Sequence, residues 1–212
     1  MIRVLIADDH PIVRQGLRQI LAETGDIEVK AEASAGQEAL DIIRRHPLDA
    51  VVLDLSMPGT NGLDTLKQIK EERPRLPVLV LSIHPEDQYA VRALRAGASG
   101  YLTKSSAPEA LVTAIRKLAE GGRFITPSLG EKLAESLQKP LDGKSLHEML
   151  SDREFEVFRL LTNGRTVGEA AQTLFLSPKT VSTYRRRILQ KTGMKTSAQL
   201  IRYAVDHSIF ES

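Results

Sequence analysis

Five short apolar runs, each followed by an amphipathic helical pattern, constrain this chain more than any other feature of its 212 residues. Residues 2–7, 27–33, 49–54, 77–82 and 99–103 read as strands, and 11–23, 37–46, 63–72, 86–96 and 108–120 as helices. Ile12, Leu17, Ile20 and Leu21 form the inward stripe of the first helix, and Ala39, Leu40, Ile42 and Ile43 that of the second. Pro74, Pro77, Gly97 and Gly100 punctuate the pattern at its joints. Strands that are apolar on both faces and alternate with helices belong to a parallel sheet covered on both sides. The expectation is an α/β domain over residues 1–120, doubly wound around five strands.

Four of the five runs end in reactive side chains. The first ends in Asp8-Asp9, the third in Asp54, the fourth in Ser82 and the fifth in Lys104. In an open parallel sheet the strand C-termini share one edge, and ligands bind in the crevice outside it. Taken singly, each residue reads more simply as a turn, a cap or a solvated loop side chain; their shared position at strand ends is the signal. Three carboxylates on one edge require a cation or retained protons. A hard, oxygen-seeking Mg²⁺ suits them. Asp9, Asp54 and a backbone carbonyl just after Asp54, that of Ser56, are the candidate protein ligands, with Asp8 holding a coordinated water. Asp54 is then a candidate nucleophile that forms an acyl phosphate, with Lys104 and the Ser82 hydroxyl placed for its oxygens.

Beyond residue 120 the pattern changes. Gly121-Gly122 closes the last helix, and Leu129, Leu133 and Leu137 mark one short amphipathic helix. Lys139–Ser145 is turn-rich, so 121–148 reads as a linker. From 149 onward only helices are predicted, at about 152–162, 167–174, 178–191 and 197–207. Their starts are marked by three capping-box patterns, Ser151 with Glu154, Thr166 with Glu169 and Thr196 with Gln199, and by Ser177-Pro178. Asn163-Gly164 and Gly193 supply the stops. The turn Phe175-Leu-Ser177 is short enough for a helix-turn-helix. The helix after it buries Val181, Tyr184, Ile188 and Leu189, and turns Lys179, Thr183, Arg186, Arg187 and Gln190 outward, flanked by Ser182. A charged face alone is common on a solvated helix. The run Arg185-Arg186-Arg187, interleaved with short polar groups, suits the major groove of double-stranded DNA.

Charge follows the same division. Residues 1–120 hold 15 cations and 17 carboxylates, whereas 149–212 hold 10 and 6. Cysteine is absent, which excludes disulfides and thiolate metal sites. No apolar run approaches the ~18 residues of a membrane span. The chain opens directly on a strand, so no leader is expected and the cytoplasm is the expected compartment.

Residues 1–120 resemble the receiver domain of two-component response regulators. The resemblance rests on Asp8-Asp9, on Asp54 within Asp54-Leu-Ser-Met-Pro-Gly59, and on Gly62, Ser82, Tyr101 and Lys104. It implies a flavodoxin-like strand order 2-1-3-4-5 and a phosphate delivered to Asp54 by a sensor histidine kinase. It makes Tyr101 a rotamer switch that follows the hydroxyl at 82, and Ser56 and His84 tuners of phosphate lifetime. Ser82 stands where threonine is commoner, and it keeps the hydroxyl. Residues 151–207 resemble the LuxR-type four-helix DNA-binding domain, on Leu150-Ser-Asp-Arg-Glu154, Val157, Leu160-Leu161, Gly164, Glu169, Ala171, Leu176-Ser177, Lys179-Thr180-Val181, Ile188-Leu189 and Lys191. Phe155 and Ala170 depart from that pattern on scaffold helices. A receiver followed by this module is similar to the NarL/FixJ class. The implied protein is a transcription regulator with no membrane partner, a homodimer when phosphorylated, contacting DNA through Lys179, Thr180, Ser182, Thr183, Arg186 and Arg187.

Two rival readings follow from the same residues. One is a Mg²⁺-dependent phosphotransferase or phosphatase that turns over at Asp54; no second acid or substrate lid is legible for it. The other is a DNA-binding protein whose front domain is only a scaffold, against which stands a complete acidic edge.

Overall fold

The computed structural model describes residues 1–57, 61–138, 145–207 and 209. Most of the linker stretch at 139–144 and the motif residues Pro58 and Gly59 lie outside them, as does the Leu137 side chain. The described chain divides into two compact units, 1–134 and 135–212.

The first unit runs β1 (Ile2–Ala7), α1 (Pro11–Ala22), β2 (Ile27–Ala33), α2 (Gly36–Arg45), β3 (Ala50–Leu53), α3 (Gly62–Glu72), β4 (Val78–Ser82), α4 (Glu86–Arg95), β5 (Gly100–Thr103) and α5 (Pro108–Ala119). All five strands are parallel, in the order β2-β1-β3-β4-β5. This is the doubly wound sheet that the alternating pattern predicts. Side chains alternate across the sheet with period two. Val4, Ile6, Val52, Leu79 and Leu81 therefore face one way and pack with Leu17 and Leu21 of α1 and Leu111, Ile115 and Leu118 of α5. Leu5, Val51 and Leu53 point the other way and are fully buried. Fully burying one such side chain stabilises the fold by roughly 1.5–3 kcal/mol, so the sheet is held from both faces.

One inward position is corrected. Ile12 is 85 % exposed; Val13 packs against the core in its place. Pro11 opens α1, so Ile12 lies in its first turn. After α5 the chain turns back through Gly121, at φ +83°, and Phe124 bridges to Gly100 beside β5. Helix α6 (Pro127–Gln138) follows, with Leu129 fully buried.

The second unit holds a 3-10 turn (Leu146–Met149) and helices α7 (Asp152–Thr162), α8 (Val167–Thr173), α9 (Pro178–Thr192) and α10 (Ser197–Asp206). All three capping boxes form, and Ser177 caps α9 by accepting from Thr180 N. Gly164 and Gly193 take the left-handed φ values of +82° and +69° that end α7 and α9. In the turn between α8 and α9, Phe175 is the one non-glycine residue with positive φ, at 53°, among those described. Phe155, Phe158, Val181, Ile188, Leu200 and Ala204 fill the core of this unit. Tyr184 and Leu189 are half-buried, less so than the helical pattern predicts.

Glu154 carries two tasks. It completes the α7 capping box, accepting from Ser151 N at 2.8 Å, and pairs with Lys191 of α9 at 2.6 Å. Burial works against its charge, but Lys191 and Ser151 outweigh it and hold the carboxyl below its ordinary range. A depressed carboxyl stabilises above its unfolded-state pKa and loses that effect as pH falls through the folded-state value. Glu154→Gln is therefore expected to destabilise the C-terminal unit by about 1 kcal/mol at neutral pH, with the difference shrinking in acid. Chemical denaturation at pH 7 and pH 3 checks this, and equal stability at pH 7 would contradict it.

Candidate functional site

Sheet register assembles the first site. Ala7 of β1 lies opposite Leu53 of β3, so the next residues, Asp8 and Asp54, emerge side by side. The ladder continues through both: Asp8 N donates to Ala33 O at 3.0 Å and Asp54 N to Ala7 O at 2.8 Å. Ser82 ends β4 and pairs with Thr103 of β5. Its carbonyl accepts from Lys104 N at 2.8 Å, which seats Lys104 on the same edge.

The side chains then converge. Asp54 is 1 % exposed and Asp8 2 %. The Lys104 ammonium lies 2.7 Å from Asp54 Oδ2 and 2.6 Å from Asp8 Oδ2. Only the contact with Asp54 has hydrogen-bond alignment; Asp8 Oδ2 and Asp9 Oδ1 are buried without a hydrogen bond. Burial pushes the Asp54 carboxyl up, and Lys104 offsets only part of that. Burial alone would lower Lys104, but Asp54 and Asp8 outweigh it and hold the ammonium charged. Asp9, Asp8 and Asp54, with His10, offer ligand atoms all within 4.8 Å of one another. The buried carboxylate oxygens of Asp8 and Asp9 beside that of Asp54 are a hard-oxygen donor set, and this fits Mg²⁺. His10 was not foreseen. It follows the acidic pair directly, and its Nδ1 stands 2.8 Å from Asp9 Oδ1 and 3.2 Å from Asp8 Oδ1. Its backbone N–H also donates to Asp8 Oδ1 at 2.9 Å, an Asx turn that fixes the carboxylate.

The loop after β3 is drawn tight against this edge. Ser56 N donates to Asp54 Oδ1 at 3.1 Å, so the Ser56 backbone faces the site. Asn61 caps α3 by accepting from Leu63 N. A side chain at Gly62 would sit 2.3 Å from Leu55 Cα, so only glycine lets the loop close. On the β4 side, Ser82 Oγ accepts from His84 N at 3.2 Å. The His84 ring stacks on Tyr89 with centroids 4.3 Å apart, and its Nε2 lies 3.3 Å from Ser56 Oγ. The two residues flanking Asp54 and Ser82 thus touch each other, which their 28-residue separation did not reveal. Tyr101 is fully buried, and its hydroxyl donates to His84 O at 2.8 Å.

The second site is the outer face of α9. Lys179, Ser182, Arg186, Arg187 and Gln190 are exposed, with Thr180 and Thr183 half-exposed. Thr180 shares its hydroxyl with the Ser177 cap at 2.7 Å, and Thr183 donates to Lys179 O at 3.0 Å. Arg187 lies over the Tyr184 ring, 5.9 Å from its centroid. Arg185 instead turns to Ser197 of α10, at 2.8 Å. Among the described residues, Lys179, Arg186 and Arg187 enter no ion pair.

A doubly wound sheet with an acidic, lysine-closed C-terminal edge, carried on one chain with a basic helix-turn-helix unit, defines a phosphate-controlled DNA-binding protein. Residues 4–116 match the response regulator receiver domain and residues 148–204 the bacterial regulatory proteins of the luxR family. The chain is 36 % identical to response regulator UvrY of Escherichia coli K12 over 209 residues, covering 99 % of this chain and 96 % of that one. It is 35 % identical to response regulator GacA of Pseudomonas aeruginosa over 212 residues, covering 100 % and 99 %. It is also similar to the structure of RcsB from Salmonella enterica serovar Typhimurium bound to a promoter in the presence of the phosphomimetic BeF3⁻. There the TM-score is 0.66 and the identity 29 %, over 95 % of this chain and 97 % of that one. The chain belongs to the two-component response regulators with a LuxR-type DNA-binding domain. Among the described residues no helix is long and apolar enough to cross a membrane.

Asp9→Ala removes one of the three carboxylates at the acidic edge. Mg²⁺ affinity, read by isothermal titration, is expected to fall by at least about tenfold, the effect of losing one ionic ligand contact. Unchanged affinity would remove Asp9 from the metal site.

Proposed function

We propose that Asp54 is the phosphate acceptor through which a sensor histidine kinase controls DNA binding by this cytoplasmic regulator. The observation that carries this reading is the Lys104 ammonium held against two buried carboxylates, Asp54 and Asp8. Asp54 Oδ attacks the phosphoryl group, and the bond to the phosphohistidine nitrogen breaks in line. Asp9, Asp54 and the Ser56 carbonyl would hold Mg²⁺, with Asp8 on a coordinated water, and the ion would supply charge neutralisation. Lys104 then moves to a phosphoryl oxygen, and the Ser82 hydroxyl turns to another.

That move has a route outward. Ser82 leaves His84 N, the 83–86 loop shifts, and the Tyr101 hydroxyl loses the carbonyl it holds. Glu86, the first residue of α4, accepts a hydrogen bond from Thr126 Oγ1, and Thr126 in turn accepts from Leu129 N at the start of α6. The linker helix therefore begins on the residue next to the switch loop. The coupling is a population shift, and it needs phosphate to favour the active state by a few kcal/mol.

The domain limits that go with this reading are 1–120 for the receiver, 121–148 for the linker and 149–212 for the DNA-binding domain. On DNA, Arg186 reads a guanine edge, while Lys179 and Arg187 meet phosphates with Thr180, Ser182 and Thr183 beside them. Domains paired through α10 place two such helices on inverted half-sites. Against turnover as a phosphatase, His10 commits its Nδ1 to the carboxylates of Asp8 and Asp9.

Two measurements test the reading. Asp54→Asn is expected to take up no label from acetyl phosphate with Mg²⁺, because an amide is not a nucleophile here; stoichiometric labelling would refute the acceptor. In selection from random DNA, Arg186→Ala is expected to relax one base position per half-site, costing about 1–3 kcal/mol. Lys179→Ala is expected to weaken all sequences alike and reduce the salt slope by about one. Identical sequence logos for the parent and Arg186→Ala would show that Arg186 reads no base.

A further inference from the structure

The opposite edge of the sheet, where the strands begin, holds a cleft of about 530 Å³ that the phosphoryl chemistry does not use. Its walls are the ends of two helices. After α3 the chain turns at 73–76, with Leu76 N donating to Arg73 O. After α5 it turns back at 121–123. Lys70, Arg73, Arg75 and Arg123 line the space between. Its one carboxylate, Asp49, is neutralised by Arg3, which grips it at 2.9 Å through both Nε and Nη2.

Lys70 is held in place rather than solvated. Its stem passes under Gly97, where a Cβ would lie 2.9 Å from Lys70 Cγ, and its ammonium donates to Leu76 O at 2.8 Å. Gly97 has φ +104°, so the passage depends on glycine twice over. Among the described residues, Arg73, Arg75 and Arg123 enter no ion pair. Cations at helix ends ordinarily answer the carbonyl dipole, but two helix ends supply only about one negative charge between them. Four cations therefore leave a positive excess in a concave, partly apolar space, and a cleft of that kind concentrates anions. The placement is notable because the surrounding domain carries more acid than base.

We infer that this cleft binds a multiply charged phosphate compound, either a bare phosphate chain or one carried on an organic group against Leu48, Pro74 and Leu118. Lys70 is the fixed anchor, and the three arginines fold onto the phosphate oxygens as bidentate donors. Burial together with the charge of Arg123 pushes the Lys70 ammonium down, a repulsion that a bound anion removes.

The test is amide NMR of the full chain at constant ionic strength without divalent cations. Sodium tripolyphosphate and a nucleoside triphosphate are titrated separately. Saturable shifts are expected at residues 70–77 and 118–123 with either probe. Arg73→Gln with Arg123→Gln is expected to weaken both by more than about tenfold. Arg75→Gln, a change on an exposed side chain, gives a smaller loss in the same direction if the double variant is unfolded. Tighter binding of the nucleotide identifies an organic phosphate; equal binding identifies the phosphate chain alone. Shifts confined to α9 or to the carboxylate edge, linear drift as with sodium chloride, or equal affinity in the variants would overturn the inference.

Discussion

Everything at the C-terminal edge depends on one contact, the Lys104 ammonium between the carboxylates of Asp54 and Asp8. Two nearly fully buried carboxylates cannot both stay ionised unless a cation answers them. Lys104 is that cation in the resting chain, at 2.7 and 2.6 Å. A buried pair of this kind adds little net stability, because desolvation consumes most of the attraction. It does create a group that must move when charge arrives. On the proposed function, a phosphoryl group on Asp54 competes for Lys104, and the neighbouring Ser82 hydroxyl is one strand away.

The surroundings convert that competition into a shape change. The sheet beneath is rigid, since Ala7, Leu53 and Ser82 are locked in the ladder and buried on both faces. The loops above it are not part of any ladder. The 83–86 loop is tied to its surroundings by exchangeable hydrogen bonds, among them His84 N to Ser82 Oγ, Tyr101 Oη to His84 O and Ser56 Oγ to His84 Nε2. A fixed base under exchangeable bonds makes the 83–86 loop the segment that the proposed switch would move, and the hydrogen bond from Thr126 to Glu86 would carry that movement to the start of α6.

Much of this was legible in the sequence because it is encoded locally. The doubly wound parallel sheet followed from five alternating runs, its strand order from the receiver resemblance, and the helix starts of the second unit from Ser151, Thr166, Ser177 and Thr196. Asp8, Asp54, Ser82 and Lys104 were legible because strand ends share an edge. Other features were not local. The pairing of Ser56 with His84 depends on how two loops lean together, and no periodicity reports that. His10 joins the site through the fold, which sets its ring Nδ1 against Asp8 and Asp9. Ile12 was placed inside on helical phase alone, yet it is exposed and Val13 takes the core position. Lys191 entered the sequence reading through the LuxR-type resemblance; the fold sets it on buried Glu154.

The central claim is that Lys104 links charge at Asp54 to affinity for DNA, and one titration tests it directly. DNA affinity of the full chain is measured with and without beryllofluoride and Mg²⁺, in the parent and in Lys104→Ala. The account predicts that the phosphomimetic tightens binding by the parent at least about tenfold, the scale of a modest coupling free energy. It predicts that Lys104→Ala takes up the phosphomimetic with little change in DNA affinity. Equal tightening in both proteins would contradict it.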